Sequence, residues 1–226
     1  MNLITTILNR YYRFMQNKYP HVLWFGDPSR YEIALTFDDG PHPRDTPQVL
    51  EILEKHKIQA TFFLSGKAVE QYPDLVKKIH QSGHHIGIHC YRHIPFQLEN
   101  PSTLHIQLDR TKNLLANICS VSSQTLKDLR PPYGAFTRKT LSYLTEWGYR
   151  VVMWNSIPPH WMQPFTWTTN QIIDQACPGS VIVLHDGHGH GTKVAKVVDW
   201  IVPKLREQGY NFVTTENMKG KNIHES

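Results

Sequence analysis

The sequence of 226 residues has no long apolar run. A membrane-crossing helix needs about 20 consecutive apolar residues, and no stretch approaches that length, so we expect no transmembrane helix. The amino terminus also lacks a basic segment followed by an apolar core, so a cleaved signal peptide is not expected either. These absences leave the localisation unknown. They favour the cytoplasm, and a place in the cell envelope stays possible if the substrate lies in the envelope.

Cysteines and clustered basic residues are also few. Three cysteines, odd in number and widely spaced, indicate reduced thiols rather than a disulfide framework. Lys and Arg number 24 against 19 Asp and Glu, but they form no run of the kind that binds nucleic acid. We therefore expect no nucleic-acid partner and see no sign of an obligate protein partner. Histidine, by contrast, occurs 14 times and in clusters, which points to metal or acid–base chemistry.

Apolar segments alternate with amphipathic segments along the chain. Short apolar runs at 33–37, 60–64, 150–154 and 181–184 predict strands, and amphipathic stretches such as 101–119 predict helices. About seven strands are counted in this way, and several are apolar enough to be covered on both faces. We predict a single-domain α/β fold, a distorted (β/α) barrel of about seven parallel strands. The alternative, an open doubly wound sheet, is not supported by any glycine-rich phosphate loop.

Residues 31–218 are predicted to form this barrel, with an N-terminal helical extension over 1–30 and a polar tail over 219–226. Within the extension, residues 3–15 carry apolar side chains at helical spacing with two arginines nearby. Such a helix either packs on the barrel or lies at a membrane surface. Peripheral membrane contact through residues 3–15 therefore stays open.

The apolar run 33–37 ends abruptly at two adjacent carboxylates, Asp38 and Asp39, which precede a turn at Gly40-Pro41. Two neighbouring carboxylates repel each other unless a cation lies between them or one is protonated. On its own the pair is either an acidic turn or part of a site. In a β/α barrel the carboxyl ends of the strands converge on one face, where the sites of such barrels lie.

His89 and His93 follow another predicted strand and lie four residues apart. A single turn of helix would put both imidazoles on one side, where they could hold a metal ion. With Asp39 they make a set of two histidines and one carboxylate that leaves positions open for water and substrate. Asp38 would then be free as a base beside the ion, and His185 could protonate a leaving group.

Four segments resemble, in order and spacing, the motifs of the polysaccharide deacetylases, the NodB-homology domain of carbohydrate esterase family four. These segments are Leu35–Pro43, His89–His93, Arg130–Gly134 and Leu184–Asp186. The resemblance covers residues 31–218. It implies a distorted β/α barrel and a hydrolase that removes N- or O-acetyl groups from a carbohydrate such as chitooligosaccharide or peptidoglycan with the help of a metal ion.

The resemblance assigns five side chains to the chemistry. It makes Asp38 the base and His185 the acid. The ligands of one divalent ion are then Asp39, His89 and His93. Zinc is the ion expected, with Co²⁺, Ni²⁺ and Mn²⁺ as the alternatives.

Four further residues have supporting roles by resemblance. Arg130 orients the base, and the backbone N–H of Tyr133 helps to hold the oxyanion, which needs preorganised donors. Trp161 and Leu184 would form a small apolar pocket for the acetyl methyl group. Tight walls there would restrict the acyl group to something of acetyl size.

Four positions depart from the family's pattern, and one of them, His85 where Glu is common, is assigned no role. Cys90 lies between the two metal histidines where Ser or Thr is usual, which we expect to alter the tuning of the site rather than its activity. The family has a further motif, its fourth in chain order, in the loop after the strand at 150–154, and this motif carries two Asp. Ile157 and His160 stand at those positions, so the carboxylate that supports the acid histidine is missing. A second imidazole cannot stabilise a cationic His185, and we expect a lower pKa of His185 and a lower pH optimum.

Two other functions are kept as alternatives. One is a hydrolase with the same barrel that acts on a small non-sugar amide or ester, which the lack of an export signal favours. The other is a carbohydrate-binding protein that has lost turnover through the changed fourth motif. Asp38 and His185 argue against this second alternative, because neither is needed for binding alone.

Overall fold

The computed structural model describes residues 3–187 and 191–218, so the predicted tail over 219–226 lies outside the described residues. The helices are α1 (Leu3–Lys18), α2 (Asp45–Lys55), α3 (Gly66–Gln71), α4 (Pro73–Gln81), α5 (Pro101–Cys119), α6 (Arg138–Glu146), α7 (Phe165–Gln175) and α8 (Gly191–Glu207). The strands are β1 (Glu32–Asp38), β2 (Thr61–Ser65), β3 (His85–Cys90), β4 (Asp128–Leu129), β5 (Arg150–Val151), β6 (Ser180–His185) and β7 (Asn211–Phe212).

The seven strands pair in parallel in the order β5-β4-β3-β2-β1-β6, and β7 pairs with β1. After β5 the chain runs on to β6, at the opposite edge of the sheet. Val152 makes a parallel bridge to Leu23, and Ser156 makes one to Ile182 in β6. The sheet thus curves round on itself, which confirms the predicted distorted β/α barrel of seven parallel strands.

Both faces of the central strands are buried, which explains why their sequences show no polar alternation. In β1, Ile33, Leu35 and Phe37 belong to the large core cluster shared with the surrounding helices. Ala34, which leaves the opposite face of the strand, packs in a smaller cluster with Phe63 of β2. A polar residue can therefore reach solvent only at a strand end, and that is where the site lies.

The helix predicted over residues 3–15 is confirmed and extends to Lys18. Tyr12 is buried, and its ring centre lies 6.0 Å from that of the buried Trp24. Through residues 3–187 and 191–218, no helix has both the length and the apolar character needed to cross a membrane.

Candidate metal and catalytic site

Most of the site residues predicted from the sequence line one cavity of about 450 Å³. Seven of the nine line it: Asp38, Asp39, His89, His93, Tyr133, Trp161 and His185. The remaining lining residues are Pro131, Gly134, Trp154, Ile157 and His160. Arg130 and Leu184 do not line the cavity, and their positions are described below.

The backbone at Asp39 turns sharply as β1 ends. Asp39 has a φ of 76°, a left-handed conformation that non-glycine residues adopt rarely and that is concentrated at functional sites. Gly40 follows, and a Cβ atom there would lie 2.5 Å from Oδ1 of Asp186. A glycine is thus required at this turn, and the turn allows two consecutive carboxylates to reach the same cavity.

The expected helical turn between His89 and His93 is wrong. His89 belongs to β3, which stays paired with β2 as far as Cys90, opposite Ser65. His89 falls at a shift of register, between the pairs Leu64–Ile88 and Ser65–Cys90, and its backbone stays within the strand. His93 lies in the irregular segment that follows, and that segment rather than a helix brings its ring to 5.1 Å from the ring of His89.

The predicted metal ligands are nevertheless brought together. Oδ1 of Asp39 lies 3.3 Å from Nε2 of His89 and 3.2 Å from Nε2 of His93, and one ligand atom from each residue falls within 4.8 Å of the others. Ligands bound about 2.0–2.2 Å from a tetrahedral zinc ion would be separated by roughly 3.3 Å. The three side chains therefore fit a divalent metal ion.

The tautomer of His89 is fixed by the protein. Its Nδ1 lies 2.7 Å from the carbonyl oxygen of Arg130, and a carbonyl can only accept, so Nδ1 carries a proton. Nε2, which faces Asp39, is then the nitrogen that donates to that carboxylate when protonated and that can bind a metal ion when it is not. Burial raises the pKa of Asp39, but the hydrogen bond from His89 and the charges of His89, His93 and His185 lower that pKa by more, so it lies below its ordinary value. Asp39 is therefore ionised at neutral pH, as a metal ligand must be.

Arg130 lies behind the base rather than in the wall of the cavity. It is wholly buried, and its Nη1 donates to Oδ1 of Asp38 at 2.7 Å and to Oγ1 of Thr36 at 2.7 Å. Its Nε donates to the carbonyl of Val152 at 3.1 Å, and its Nη2 to that of Met153 at 2.9 Å. A buried ion pair is tolerated only when its remaining donors are satisfied. This network fixes the orientation of the Asp38 carboxylate.

Asp38 and His185 occupy paired positions on the adjacent parallel strands β1 and β6. Residues paired in this way extend from the same face of a sheet, so both side chains reach the cavity from neighbouring strands. Burial lowers the pKa of His185, although the charges of Asp38 and Asp39 act in the opposite direction. The lower pKa agrees in direction with the expectation from the sequence.

His160 occupies the place where a carboxylate was expected from the family pattern. It is wholly buried, and its ring stacks on that of His185 with the centroids 5.1 Å apart and the planes inclined by 27°. Its Nδ1 lies 3.1 Å from the carbonyl of Pro158 and must donate to it. Nδ1 of His185 is buried, and no hydrogen-bond partner is found for it through 3–187 and 191–218.

Asp186 does not replace the missing carboxylate. Its Oδ2 accepts a hydrogen bond of 2.5 Å from Oγ1 of Thr46 in α2, and its Oδ1 lies against the turn at Gly40. Burial raises the pKa of Asp186 to about 7. The side chain thus links β6 to the loop after β1 instead of supporting His185.

Tyr133 lies at the mouth of the cavity, with its side chain 66% exposed and its ring centre 4.5 Å from that of His93. Its backbone is left-handed, with a φ of 59°. The next residue, Gly134, also has a positive φ, and a Cβ atom there would overlap the indole of Trp154. The strained turn therefore brings the Tyr133 backbone and the Trp154 indole to one cavity.

The two residues expected to form the acetyl pocket differ in position. Trp161 lines the cavity, and its ring meets that of His185 edge-on at 5.1 Å. Leu184 is wholly buried in the large core cluster. The structure supplies Ile157 and Trp154 as apolar walls instead. Of these, Ile157 had a signal in the sequence, since it replaces a carboxylate of the family motif.

Cys90 is also buried, and its Sγ lies 3.5 Å from Oγ of Ser65. Burial raises the pKa of the thiol to about 12, so it remains protonated. Within the described part of the chain, the metal-ligating cluster consists of Asp39, His89 and His93 without this thiol. Cys90 therefore packs beside the ligands and does not join them.

Comparison with known proteins agrees with this geometry. The family model for polysaccharide deacetylase matches residues 26–152. A peptidoglycan-N-acetylglucosamine deacetylase of Bacillus cereus is 36% identical over 197 residues, which cover 85% of this chain and 70% of that relative. A chitooligosaccharide deacetylase of Azorhizobium caulinodans is 34% identical over 190 residues, covering 79% of this chain and 90% of the relative.

A solved structure of similar fold is a peptidoglycan N-acetylglucosamine deacetylase in complex with an N-oxidanyl-benzamide, with a TM-score of 0.84 and 33% identity. The similarity covers 88% of this chain and 92% of that one. The fold and the site define the class of protein, a metal-dependent hydrolase with a distorted β/α barrel. The chain belongs to the polysaccharide deacetylase family, which confirms the resemblance of the four motifs and the enzyme class, a carbohydrate deacetylase.

Proposed function

We propose that this protein removes acetyl groups from polymers of N-acetylglucosamine, with peptidoglycan and chitooligosaccharides as the substrate classes. The observation that carries the proposal is the convergence of three metal-ligating side chains, a carboxylate base and a histidine acid on one cavity. The names of the relatives support the choice of substrate. The volume of the cavity, about 450 Å³, lies in the usual range for a small-molecule site.

Zinc is the proposed ion, held by Asp39, His89 and His93, with Co²⁺, Ni²⁺ and Mn²⁺ as alternatives. A mixed set of imidazole and carboxylate ligands suits these ions better than Mg²⁺ or Ca²⁺, which prefer oxygen alone. When bound, such an ion supplies a Lewis acid for the acetyl carbonyl and lowers the pKa of water. Three protein ligands leave a position open for that chemistry.

The remaining steps fall to the side chains of the cavity. Asp38, held by Arg130, accepts a proton from the water that attacks the acetyl carbonyl carbon. The backbone N–H of Tyr133 donates to the oxygen that becomes negatively charged. When the C–N bond breaks, His185 donates a proton to the departing nitrogen. The products are acetate and a free amine on the sugar.

The acetyl methyl group would face the apolar side of the cavity. Trp161 and Ile157 are the residues proposed to bound this side, since both line the cavity and Leu184 does not. A hydrophobic wall discriminates an added methylene by about 1–3 kcal/mol. Acyl groups larger than acetyl should therefore react more slowly.

A second candidate function is carbohydrate binding without turnover, which the imidazole of His160 beside the acid favours. The paired positions of Asp38 and His185 and the buried support from Arg130 argue for turnover instead. Acetate release decides between them. The zinc- or cobalt-loaded protein should release acetate from chitooligosaccharides or peptidoglycan and less from acetylated xylan.

Two results would contradict the proposal. If the metal-loaded protein bound these polymers and released no acetate from any of them, it would be a binding protein. If it hydrolysed a small non-sugar amide or ester and none of the polymers, the substrate would be of another class. Metal content measured on the same sample ensures that inactivity is not a failure of loading.

A further inference from the structure

Helix α1 has two different apolar faces. One face packs on the barrel through the buried Tyr12 and the partly buried Met15 and Tyr19. Gln16, on the same side, accepts hydrogen bonds from the backbone N–H groups of Trp24 and Phe25 at 3.1 and 3.2 Å. These contacts fix the rotation of the helix about its axis.

The other face carries large apolar side chains that point into solvent. Ile7, Tyr11 and Phe14 are 57%, 50% and 59% exposed. They occupy positions i, i+4 and i+7, so at 3.6 residues per turn they fall within an arc of about 60°. Single exposed apolar residues are common on protein surfaces, but an aligned row on one helix marks an interaction surface. We call these three residues the outer face.

Positive charge accompanies the outer face. Arg10, Arg13 and Lys18 are exposed on the same helix, and Nζ of Lys18 lies 6.0 Å from the ring centre of Phe14. Residues 1–26 contain no Asp or Glu. At 100° per residue Arg10 flanks the outer face and Lys18 lies at its C-terminal end, whereas Arg13 lines a groove beside the barrel with Gln16. The outer face thus carries cations without acidic residues on the helix, the pattern of helices that lie at an anionic interface.

We propose that α1 binds the surface of an anionic phospholipid bilayer, with the outer face inserted at the boundary between headgroups and acyl chains. Arg10 and Lys18 would then contact lipid phosphates, to which each basic residue near such a surface adds attraction. Lys18, extending beside Phe14, would reach the headgroups while its stem stays on apolar surface. This inference does not depend on the substrate of the enzyme.

A second copy of the chain fits the outer face less well. In a symmetric dimer the same patch meets itself, so Arg10 and Lys18 of both copies would be brought together. A stable interface also buries about 800 Å² on each partner, which three side chains do not provide. An anionic lipid surface satisfies both the charge and the apolar row.

Co-sedimentation of the protein, residues 1–226, with vesicles tests this inference. The protein should bind vesicles of phosphatidylcholine mixed with phosphatidylglycerol, bind vesicles of phosphatidylcholine alone more weakly, and dissociate as salt increases. Changing Ile7 and Phe14 to Glu should weaken binding about tenfold or more, since it removes two apolar side chains from the interface. The matched control is Ile106→Glu on α5, also a solvent-facing helix residue (69% exposed), which should bind as the parent does.

The charged residues are tested separately. Arg10→Gln with Lys18→Gln should reduce binding to the mixed vesicles and flatten its salt dependence. Acetate release from soluble chitooligosaccharides should be unchanged in all these variants, because none lies at the cavity, and this separates the inference from the proposed function. Absence of binding to the mixed vesicles would overturn it, as would equal loss in the Ile106→Glu control. Concentration-dependent dimers abolished by Phe14→Glu, without vesicle binding, would show that the outer face joins two copies.

Discussion

The imidazole rings of His160 and His185 stack with their centroids 5.1 Å apart, deep beside the cavity. His160 brings no negative charge to the acid, and burial lowers the pKa of His185. The general acid must be protonated to act, so its active fraction falls as the pH rises through that pKa. The alkaline limb of the rate profile should therefore lie at lower pH than an ordinary histidine would give.

Replacing His160 with Asp should move that limb upward. A carboxylate close to an imidazole favours the protonated form and raises its pKa by about one to three units. We expect the alkaline limb of kcat/KM to shift to higher pH by about one unit or more in His160→Asp, measured as acetate release across pH. His160→Asn removes the imidazole without adding charge and should produce no such upward shift. Identical limbs in the Asp and Asn variants would show that His160 does not set the pKa of the acid.

The ion pair of Arg130 and Asp38 should support both stability and turnover. Removing one partner of a buried ion pair leaves the other charge uncompensated and costs about 3–5 kcal/mol. Arg130→Met should therefore lower the free energy of unfolding by that amount, measured by urea denaturation, and should abolish acetate release. Arg130→Lys keeps a charge and should be less destabilised, but it loses the planar fork that orients Asp38.

Arg150 provides the matched control for Arg130. It pairs with the buried Asp128 at 2.6 Å, and neither residue is among those that line the cavity. Arg150→Met should destabilise the protein without removing acetate release at a temperature where it remains folded. Turnover retained in Arg130→Met, or lost equally in both variants, would contradict the assigned role of Arg130.

Acyl selectivity should depend on Trp161 and not on Leu184. Trp161→Ala enlarges the cavity, so the rate with an N-propionyl substrate should increase relative to the N-acetyl substrate by about tenfold, the usual effect of one methylene. Leu184→Ala leaves a cavity in the core and should cost about 2–5 kcal/mol of stability without changing that ratio. A changed ratio of these two rates in Leu184→Ala would show that Leu184 does contribute to the acyl pocket.

His84 should make stability depend on pH. It is 6% exposed, and burial lowers its pKa to about 4, while its Nδ1 accepts a hydrogen bond from the N–H of Ala60 at 3.2 Å. Between about pH 6.5 and 4 the unfolded chain binds a proton at this position and the folded chain does not, so stability falls as the pH falls. The total effect of this histidine should be on the order of 3 kcal/mol.

The variant His84→Asn isolates this contribution. The side-chain oxygen of Asn can accept from the N–H of Ala60 and does not titrate, so the variant should lose less stability on acidification than the parent. Urea denaturation at about pH 7 and at about pH 4.5 measures the difference. An unchanged loss in the variant would place the acid sensitivity elsewhere.

The fold could be predicted from the sequence because its strands are apolar runs covered on both faces, separated by amphipathic helices. The ends of the strands and the short helices were harder to predict from the sequence. A strand was predicted over 150–154, but β5 ends at Val151, and Val152 makes only an isolated bridge to Leu23. That partner lies far away in the sequence, so no local pattern indicates the change. The short helix α3 was missed because its six residues are too few to show helical periodicity.

Sequence motifs identified most of the side chains that line the cavity. They gave no information on the direction in which a side chain points or on the path of the backbone. Leu184 directly precedes His185 on β6, and adjacent strand residues point to opposite faces, so a residue before the acid had to face the core. The helical turn proposed for His89 and His93 failed because β3 continues to Cys90, which pairs with Ser65 of β2 after a shift of register at His89. The left-handed backbone of Asp39, which brings two consecutive carboxylates to one cavity, had no signal in the residue types alone.

The most direct test of the account is acetate release by the metal-loaded protein and by Asp38→Asn, with metal content measured on both. Asn keeps the shape of the side chain and an oxygen that can accept from Arg130, but it cannot take a proton from water. We predict that the parent releases acetate from a polymer of N-acetylglucosamine, and that Asp38→Asn releases none while binding a near-stoichiometric amount of metal. Full acetate release by Asp38→Asn with metal bound would contradict the assignment of Asp38 as the base and the mechanism built on it.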